Sequence, residues 1–298
     1  LFMVFIRTFF GPIMFLSSQF NEFQKALAGA ERIFALLAEQ PTVLAPLAPQ
    51  PVPEGLWDIS FEDVYFKYPD SERWVLEGLS FHCPAGEHWA LVGATGSGKT
   101  TLISLLLRFY DPQQGRICIN GVDIRELDMG ALRQAMGLVL QDVIFFPGSL
   151  WQNLVLDKAL ERSHVEQVLK RVGLHQRIQA LPEGYDTPLA EGAHNLSEGE
   201  QQLLSFGRAL LHNPRVLILD EATSHIDPET ESKIQAAMHT VLEGRTALII
   251  AHRLRTIEAA DRILVLHHGR LIESGAHQEL LQQGGHYAYL HQLQAQHV

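Results

Sequence analysis

The chain has 298 residues, of which 46% are hydrophobic, so it can bury one large or two smaller apolar cores, and its composition argues against disorder. Its 34 acidic and 23 basic residues give a formal net charge of −11, which disfavours binding to nucleic-acid phosphates. The two cysteines and fifteen histidines lack the spacing of a metal site or a redox pair, so we expect reduced cysteines and no zinc.

The first 40 residues predict a long helix. An apolar run occupies Leu1 to Leu16 and is interrupted by Arg7, whereas a membrane-spanning helix needs about 20 apolar residues. From Phe20 to Gln40, apolar residues recur every three or four positions, which indicates one face of an amphipathic helix. No signal-peptide pattern is visible. We interpret residues 1–40 as the end of a membrane helix with its cytoplasmic extension; a buried helix of a soluble protein is the alternative.

A proline-rich linker and an α/β domain are predicted to follow. Residues 41–55 contain five prolines, which favour an extended and semi-rigid connector. From residue 56 to residue 298, the segments "WDISFEDVYFKY" and "LEGLSFHC" alternate like antiparallel strands with one buried face. The segments "RVLILD" and "RTALIIAH" are continuous apolar runs, typical of buried parallel strands. We therefore predict an α/β fold with a parallel sheet, an antiparallel β subdomain and a helical subdomain around residues 150–210.

The segment "GATGSGKT", residues 93–100, predicts a phosphate-binding loop. It fits the pattern GxxxxGK(S/T), follows the apolar strand "HWALV" and precedes the helical segment "TLISLLLRFY". In such a P-loop NTPase core, backbone amides and a helix N-terminus surround phosphate groups, a lysine bridges the outer phosphates and a hydroxyl ligates Mg²⁺. A glycine-rich turn without a ligand is the alternative. The candidate ATP-binding residues here are Gly93, Thr95, Gly96, Ser97, Gly98, Lys99, Thr100 and Thr101.

Two further segments supply candidate catalytic residues. The apolar run "VLILDE" ends in Asp220, which can hold the magnesium shell, and Glu221, which can orient or deprotonate water. His252 ends the next apolar run. Considered singly, Glu221 and His252 could be ordinary strand-end side chains. Because the carboxyl ends of parallel strands meet in one crevice, we expect these residues to lie near the phosphate-binding loop.

The order of motifs resembles the nucleotide-binding domain of ABC transporters, specifically the exporter type. Tyr68 in "YFKYPD" is similar to the aromatic residue that stacks on adenine, and Gln141 in "LVLQD" to the Q-loop glutamine that contacts Mg²⁺ and the attacking water. The segment "LSEGE" resembles the signature LSGGQ, and "SHID" with Asp227 resembles the D-loop. The resemblance also implies that Asp220 and Glu221 are the Walker B pair and that His252 is the H-loop residue.

The resemblance covers residues 56–298, and the N-terminal segment resembles the end of the last membrane helix of an exporter. It implies ATP and Mg²⁺ as ligands, a second nucleotide-binding domain, a membrane-spanning domain and a lipid bilayer at the N-terminus as partners, and no nucleic acid. It also implies an inner (cytoplasmic) membrane location with the ATPase on the cytosolic side. A non-transport regulatory ABC ATPase is the alternative, and a scaffold with inert motifs is disfavoured because the Walker and H-loop residues occur together.

The signature "LSEGE" departs from the family pattern at two positions. Ser197 and Gly199 are retained, but Glu198 replaces glycine and Glu200 replaces glutamine. The spacing of Ser197 and Glu200 predicts a capping box at a helix N-terminus. The family resemblance implies that this helix faces the γ-phosphate bound by a partner domain. A carboxylate near a triphosphate costs roughly 1 kcal/mol at 4 Å in water. We expect a competent signature in which Glu200 folds back onto its own helix, with a degenerate site as the alternative.

Overall fold

The computed structural model describes residues 2–140, 143–156, 158–189, 195–220, 228–251 and 254–295. The chain divides into two compact units, residues 1–44 and residues 45–298. The division falls inside the linker predicted for residues 41–55, and the predicted boundaries at 40 and 55 remain predictions.

The first unit contains one long helix, α1 (Phe2–Ala38). Its sequence is rich in Phe, Leu, Ile and Ala, with Pro12 as the proline inside the helix. Large apolar side chains are exposed along its length, from Phe2 at 78% to Leu37 at 72%. Within the described part of the chain, no helix combines the length and the apolar character that crossing a membrane requires.

The second unit is built on a six-stranded sheet with the order β12-β11-β3-β10-β9-β6. Its strands are β3 (His88–Val92), β6 (Met136–Val139), β9 (Val216–Asp220), β10 (Thr246–Ile250), β11 (Arg262–His267) and β12 (Arg270–Gly275). All neighbouring pairs are parallel except β11 with β12. The central strands are apolar over most of their length because helices or the second sheet cover both of their faces.

An antiparallel sheet with the order β2-β1-β4-β5 lies against this sheet. Its strands are β1 (Ile59–Phe66), β2 (Leu76–Cys83), β4 (Gln114–Ile119) and β5 (Val122–Asp123). Buried and more exposed residues alternate along most of β1, as expected for a strand with one face on the core. A short pair, β7 (Gly148–Ser149) with β8 (Pro188–Leu189), forms a separate ribbon in the helical subdomain.

Helices connect and cover the strands of the second unit. Their bounds are α2 (Lys99–Leu106), α3 (Met129–Gln134), α4 (Leu150–Val155), α5 (Arg162–Arg171), α6 (His175–Gln179), α7 (Glu198–Leu211), α8 (Pro228–Leu242), α9 (Leu254–Glu258), α10 (His277–Gln283) and α11 (His286–Ala295). A 3-10 turn spans Gly184–Asp186. The helix predicted from "TLISLLLRFY" ends as α2 at Leu106, before the aromatic residues of that segment.

Two apolar clusters form the core of this unit. One fills the space between the two sheets around α2, and the other lies on the opposite face of the six-stranded sheet, against α4, α5, α7 and α8. The predicted α/β fold, with its parallel sheet, antiparallel β subdomain, helical subdomain and preceding helix, is confirmed.

The end of the proline-rich segment packs against the domain. Gln50 forms a β-bridge with Leu127. The carbonyl of Pro53 accepts a hydrogen bond of 2.8 Å from Nε1 of Trp57 and another from the Arg215 guanidinium. Trp57 itself is fully buried. Residues 50–57 therefore belong structurally to the domain, although their composition is typical of a linker.

Candidate functional site

Three adjacent parallel strands end at one side of the sheet and place the candidate residues there. Ile250, at the end of β10, pairs with Leu91 of β3 on one side and Asp220 of β9 on the other. The loop that carries the glycine-rich motif follows β3 directly. A cavity of about 540 Å³ opens at this edge, lined by Tyr68, Val75, Thr95, Gly96, Gly98, Lys99, Thr100, Thr101, Asp220 and Ile250.

The loop between β3 and α2 is held in a tight, concave path. A Cβ atom on Gly93 would lie 2.3 Å from the carbonyl oxygen of Leu266 and 2.7 Å from Oγ of Ser97. Gly98 adopts φ +106°, and a Cβ atom there would lie 2.6 Å from Cδ2 of Leu76. Larger residues at these positions would collide with backbone or core atoms, so the glycines are required for this loop path.

Lys99 is the first residue of α2, directly after the loop, and is 8% exposed. Its Nζ donates hydrogen bonds to the carbonyl oxygens of Gly93 at 2.6 Å and Ala94 at 3.1 Å. Burial lowers the pKa of the Lys99 ammonium, and attraction to the Asp220 carboxylate offsets part of that decrease. A buried ammonium held by two neutral carbonyls is well suited to accept an anion in the adjacent cavity.

The polar groups around the cavity fit phosphate and a hard cation. Ser97 is 3% exposed, and its hydroxyl has no hydrogen-bond partner among the described residues. An unpaired buried hydroxyl beside a glycine-rich loop is consistent with a phosphate oxygen as its partner. Thr100 and Asp220 contribute a hydroxyl and a carboxylate to the same cavity. Such oxygen donors are the ligands that Mg²⁺ prefers.

Tyr68 forms one wall of the cavity and is fixed by its neighbours. Its hydroxyl lies 3.1 Å from Oγ1 of Thr101. Its ring makes edge contacts with Phe66 and Tyr110, with centroid distances of 5.0 and 5.2 Å. The ring is therefore held beside the phosphate loop, where an aromatic face can stack on a base.

The predicted capping box at the signature helix is confirmed. Ser197 is the N-cap of α7, and its side chain accepts a hydrogen bond from the amide of Glu200 at 3.3 Å. The Glu200 carboxylate in turn accepts from the amide of Ser197 at 2.9 Å and from Nε of Arg177 at 2.5 Å. Burial alone would raise the pKa of the Glu200 carboxyl group. The hydrogen bonds from Ser197 and Arg177 outweigh this effect and lower the pKa.

Gly199 has a packing role within its own domain. A Cβ atom at this position would lie 2.2 Å from Cγ2 of Thr230 on α8. The residue is buried on the side where α7 contacts α8. Glycine here allows the two helices to approach closely, whereas the neighbouring Glu198 is exposed.

The structure brings together most of the predicted site. Eight predicted residues line the cavity, and Gly93 and Ser97 shape its loop. Gln141, Glu221, Asp227 and His252 lie outside the described residues. The sequence patterns did not predict Val75 and Ile250 as cavity residues, or Arg177 as a partner of Glu200. Ile250 could have been found as the end of a buried strand, but nothing near Val75 or Arg177 in the sequence indicates a contact with a site residue.

A phosphate-binding loop at the carboxyl edge of a parallel sheet, together with a helical subdomain, defines a nucleotide-binding ATPase domain of the P-loop class. The sequence profile described as "ABC transporter" matches residues 76–224, half of the 298 residues. The chain belongs to the ABC transporter family.

Relatives and a solved structure place the chain on the exporter side of this family. It is 45% identical over 292 residues to the uncharacterised ABC transporter ATP-binding protein YfiC of Bacillus subtilis, covering 97% of this chain and 48% of that protein. It is 46% identical over 275 residues to the ATP-dependent lipid A-core flippase of Alkalilimnicola ehrlichii, covering 92% of this chain and 46% of that protein. The structure of a bacterial Atm1-family ABC exporter with ATP bound matches with a TM-score of 0.83 and 38% identity. The match covers 91% of this chain and 48% of the exporter chain.

These matches confirm the interpretation as the ATP-binding domain of an exporter-type ABC protein, a family of ATPases. The chain spans about half the length of the relatives that it matches.

Proposed function

We propose that this chain hydrolyses Mg-ATP at the interface between two paired domains, and that closing and reopening of the pair drives export through membrane-spanning helices. The observation that carries the proposal is the single cavity at the strand ends, which gathers the buried ammonium of Lys99, the hydroxyl of Thr100 and the carboxylate of Asp220 around the glycine-rich loop. The exporter relatives support transport over a purely regulatory ATPase.

The residues of the cavity would bind and position the nucleotide. The Lys99 ammonium would exchange its two loop carbonyls for the outer phosphates, and the loop amides and the Ser97 hydroxyl would hold the remaining phosphate oxygens. Mg²⁺ bound by Thr100 and Asp220, with Gln141, would neutralise charge on the phosphates. Tyr68 would stack on the adenine.

Two residues next to the strand ends are proposed to act on the reacting groups. Glu221 follows Asp220 directly, and it would orient and polarise the attacking water. His252 follows β10 by two positions, and it would contact the γ-phosphate. Gln141 would report nucleotide occupancy to the membrane domain.

A second domain would complete the site. The N-terminus of α7 presents the positive end of the helix dipole, which suits the γ-phosphate held by a partner. Ser197, Gly199 and Glu200 lie at this helix start, and Asp227 of the D-loop would lie at the same interface. The hydrogen bonds that Glu200 accepts within its own chain support a competent signature, because they draw its negative charge back onto the helix and Arg177.

Two features support attachment to a membrane-spanning domain. The apolar side chains exposed along α1 are suited to lipid or to other membrane helices. In the second unit, Ile144 and Phe146 are 59% and 56% exposed, and a groove of about 510 Å³ lies between Phe146, Pro147, Gln152, Asn153 and Leu156. We propose that this groove receives the membrane domain and that the complete protein resides in the inner membrane with this ATPase in the cytosol.

The experiment that tests the proposal traps ATP in the Glu221→Gln variant and follows the molar mass by light scattering in mild detergent. We expect an ATP-dependent and Mg²⁺-dependent shift from monomer to dimer, together with nearly complete loss of turnover. A variant that binds ATP yet stays monomeric would argue against pairing of this chain with its own copy. Substantial residual hydrolysis would remove Glu221 from the proposed role.

A further inference from the structure

A second group of ligand-type side chains lies among the last three helices, away from the nucleotide cavity. Glu258 is the last residue of α9, His277 is the first residue of α10, and His291 lies on α11. Each offers one ligand atom, and these three atoms all lie within 4.8 Å of one another. The residues are far apart in sequence, and folding brings them together where α11 packs against α9 and α10.

One distance within the group matches the spacing of ligands around a transition-metal ion. Nε2 of His291 lies 3.3 Å from Oε1 of Glu258. Two ligands of a tetrahedral zinc ion, each about 2.0–2.1 Å from the metal, are separated by roughly 3.3 Å. The rings of His277 and His291 have centroids 5.3 Å apart. Two imidazoles and a carboxylate are a recurrent zinc ligand set, whereas Mg²⁺ prefers oxygen ligands alone.

Tyr287 supports one of the three ligands. This residue is 1% exposed, and its hydroxyl lies 2.6 Å from Nδ1 of His277. A hydrogen bond at Nδ1 fixes the orientation of the imidazole and leaves Nε2 for a metal, as outer partners of metal-ligating histidines commonly do. The side chains of Glu258 and His291 are 44% and 20% exposed, so an ion can reach the group from solvent.

We propose that Glu258, His277 and His291 bind one zinc-type divalent cation that joins α9, α10 and α11, with water in the fourth position. Helix α9 begins four residues after Ile250, which lines the nucleotide cavity, so the ion would anchor the C-terminal helices to the segment that follows β10. The proposal departs from the expectation of no zinc, which rested on spacing along the sequence.

The test is a titration of the metal-stripped chain, free of nucleotide, with cobalt chloride as a spectroscopic probe and zinc chloride as a competitor. We expect one cobalt ion per chain with visible absorption typical of tetrahedral coordination, displacement by zinc, and a rise in Tm with zinc. The variants Glu258→Gln, His277→Ala and His291→Ala should each weaken binding by at least about 10-fold, because even outer partners of metal ligands contribute roughly 10- to 100-fold.

Two further variants distinguish binding at this site from non-specific binding of cobalt to other histidines. His239→Ala removes a histidine that lies 3.5 Å from Glu243 but has no further ligand beside it among the described groups, and it should leave cobalt binding unchanged. Tyr287→Phe keeps the packing but removes the hydroxyl, so it should weaken binding by about 10-fold. Unchanged ATP affinity verifies that each variant is folded. Absence of cobalt binding, or equal binding by the folded ligand variants, would overturn the proposal.

Discussion

Among single residues, Lys99 is the one on which we expect nucleotide binding to depend most directly. Its ammonium is buried and donates to two carbonyls of its own loop. These bonds hold the side chain at the cavity, and we propose that bonds to phosphate replace them when ATP binds. We propose that the lysine contributes to ATP affinity through charge-assisted hydrogen bonds rather than through the shape of the loop.

We expect Lys99→Ala to weaken ATP binding by at least about 10-fold, since hydrogen bonds to charged groups contribute roughly 1.5–3 kcal/mol each. Isothermal titration calorimetry measures the change. Lys170→Ala, which removes an exposed lysine from α5, is the matched control and should leave the affinity unchanged. An unaltered Kd in Lys99→Ala would exclude the proposed phosphate contact.

Gly199 has two proposed roles, packing of α7 against α8 and contact with a partner domain, and substitutions can distinguish them. We expect Gly199→Ala to lower the free energy of unfolding by about 1–3 kcal/mol, because its Cβ would collide with Cγ2 of Thr230. Urea unfolding measures this cost. Adding Thr230→Ser removes the colliding methyl group and should restore most of the stability.

The control for Gly199→Ala is Gly130→Ala on α3, where a Cβ would lie 3.4 Å from Oδ1 of Asp128. That substitution should be neutral or slightly stabilising, as expected for glycine to alanine in a helix. If Gly199→Ala leaves stability unchanged but reduces ATP-dependent dimerisation, the glycine serves the partner interface and not the α7 contact with α8.

At the scale of elements, the start of α7 combines a cap with an ion pair. Glutamine in place of Glu200 can keep the reciprocal cap with Ser197, because both side chains serve in capping boxes. It cannot keep the ion pair with Arg177, whose side chain is 47% exposed. The two roles of Glu200 can therefore be separated by one substitution.

We expect Glu200→Gln to lower the free energy of unfolding by at most about 1 kcal/mol near neutral pH, as is usual for partly exposed ion pairs. The lowered pKa of Glu200 means that its contribution is complete above the ordinary value of 4.5 and is lost as the pH falls through the lowered value. Urea unfolding over a pH series should show the difference between wild type and variant shrinking in acid.

The family signature has glutamine at the position of Glu200. If the glutamate does not impair the signature, Glu200→Gln should leave ATP turnover unchanged. Glu229→Gln, which removes an exposed i,i+4 pair with Lys233 from α8, is the control and should change stability by less than about 0.5 kcal/mol. A stability difference for Glu200→Gln that persists at low pH would argue against the ion pair as its cause.

At the scale of the whole molecule, the second unit contains its own core. Both apolar clusters consist of residues from Val52 onward, and Trp57 is fully buried in one of them. We expect a chain of residues 45–298 to fold and to bind ATP with affinity close to that of the full chain, because no residue of the core or cavity is removed. Calorimetric titration and circular dichroism measure both properties.

The matched comparison is a chain of residues 58–298, which also lacks Trp57 and the carbonyl of Pro53. Loss of a buried tryptophan costs about 3–5 kcal/mol, so this shorter chain should be markedly less stable. Equal stability of the two truncated chains would show that residues 50–57 contribute little, despite their contacts with Leu127 and Arg215.

The amino-acid sequence is sufficient to predict the nucleotide-binding loop, the apolar parallel strands and the cap of α7. These features depend on local rules. Glycines permit the loop path, and continuous apolar runs indicate strands covered on both faces. Ser197 and Glu200, three residues apart, form the capping box of a helix. Their order along the chain also sufficed to identify the family.

Contacts between residues that are distant in sequence became visible only in the folded chain. Folding placed Arg177 on Glu200, Thr230 against Gly199 and residues 50–57 on the domain. It also gathered Glu258, His277 and His291 from three helices, which spacing along the sequence could not reveal. Such contacts depend on how helices and strands pack, and packing is set by complementary shapes across the whole core rather than by any local pattern.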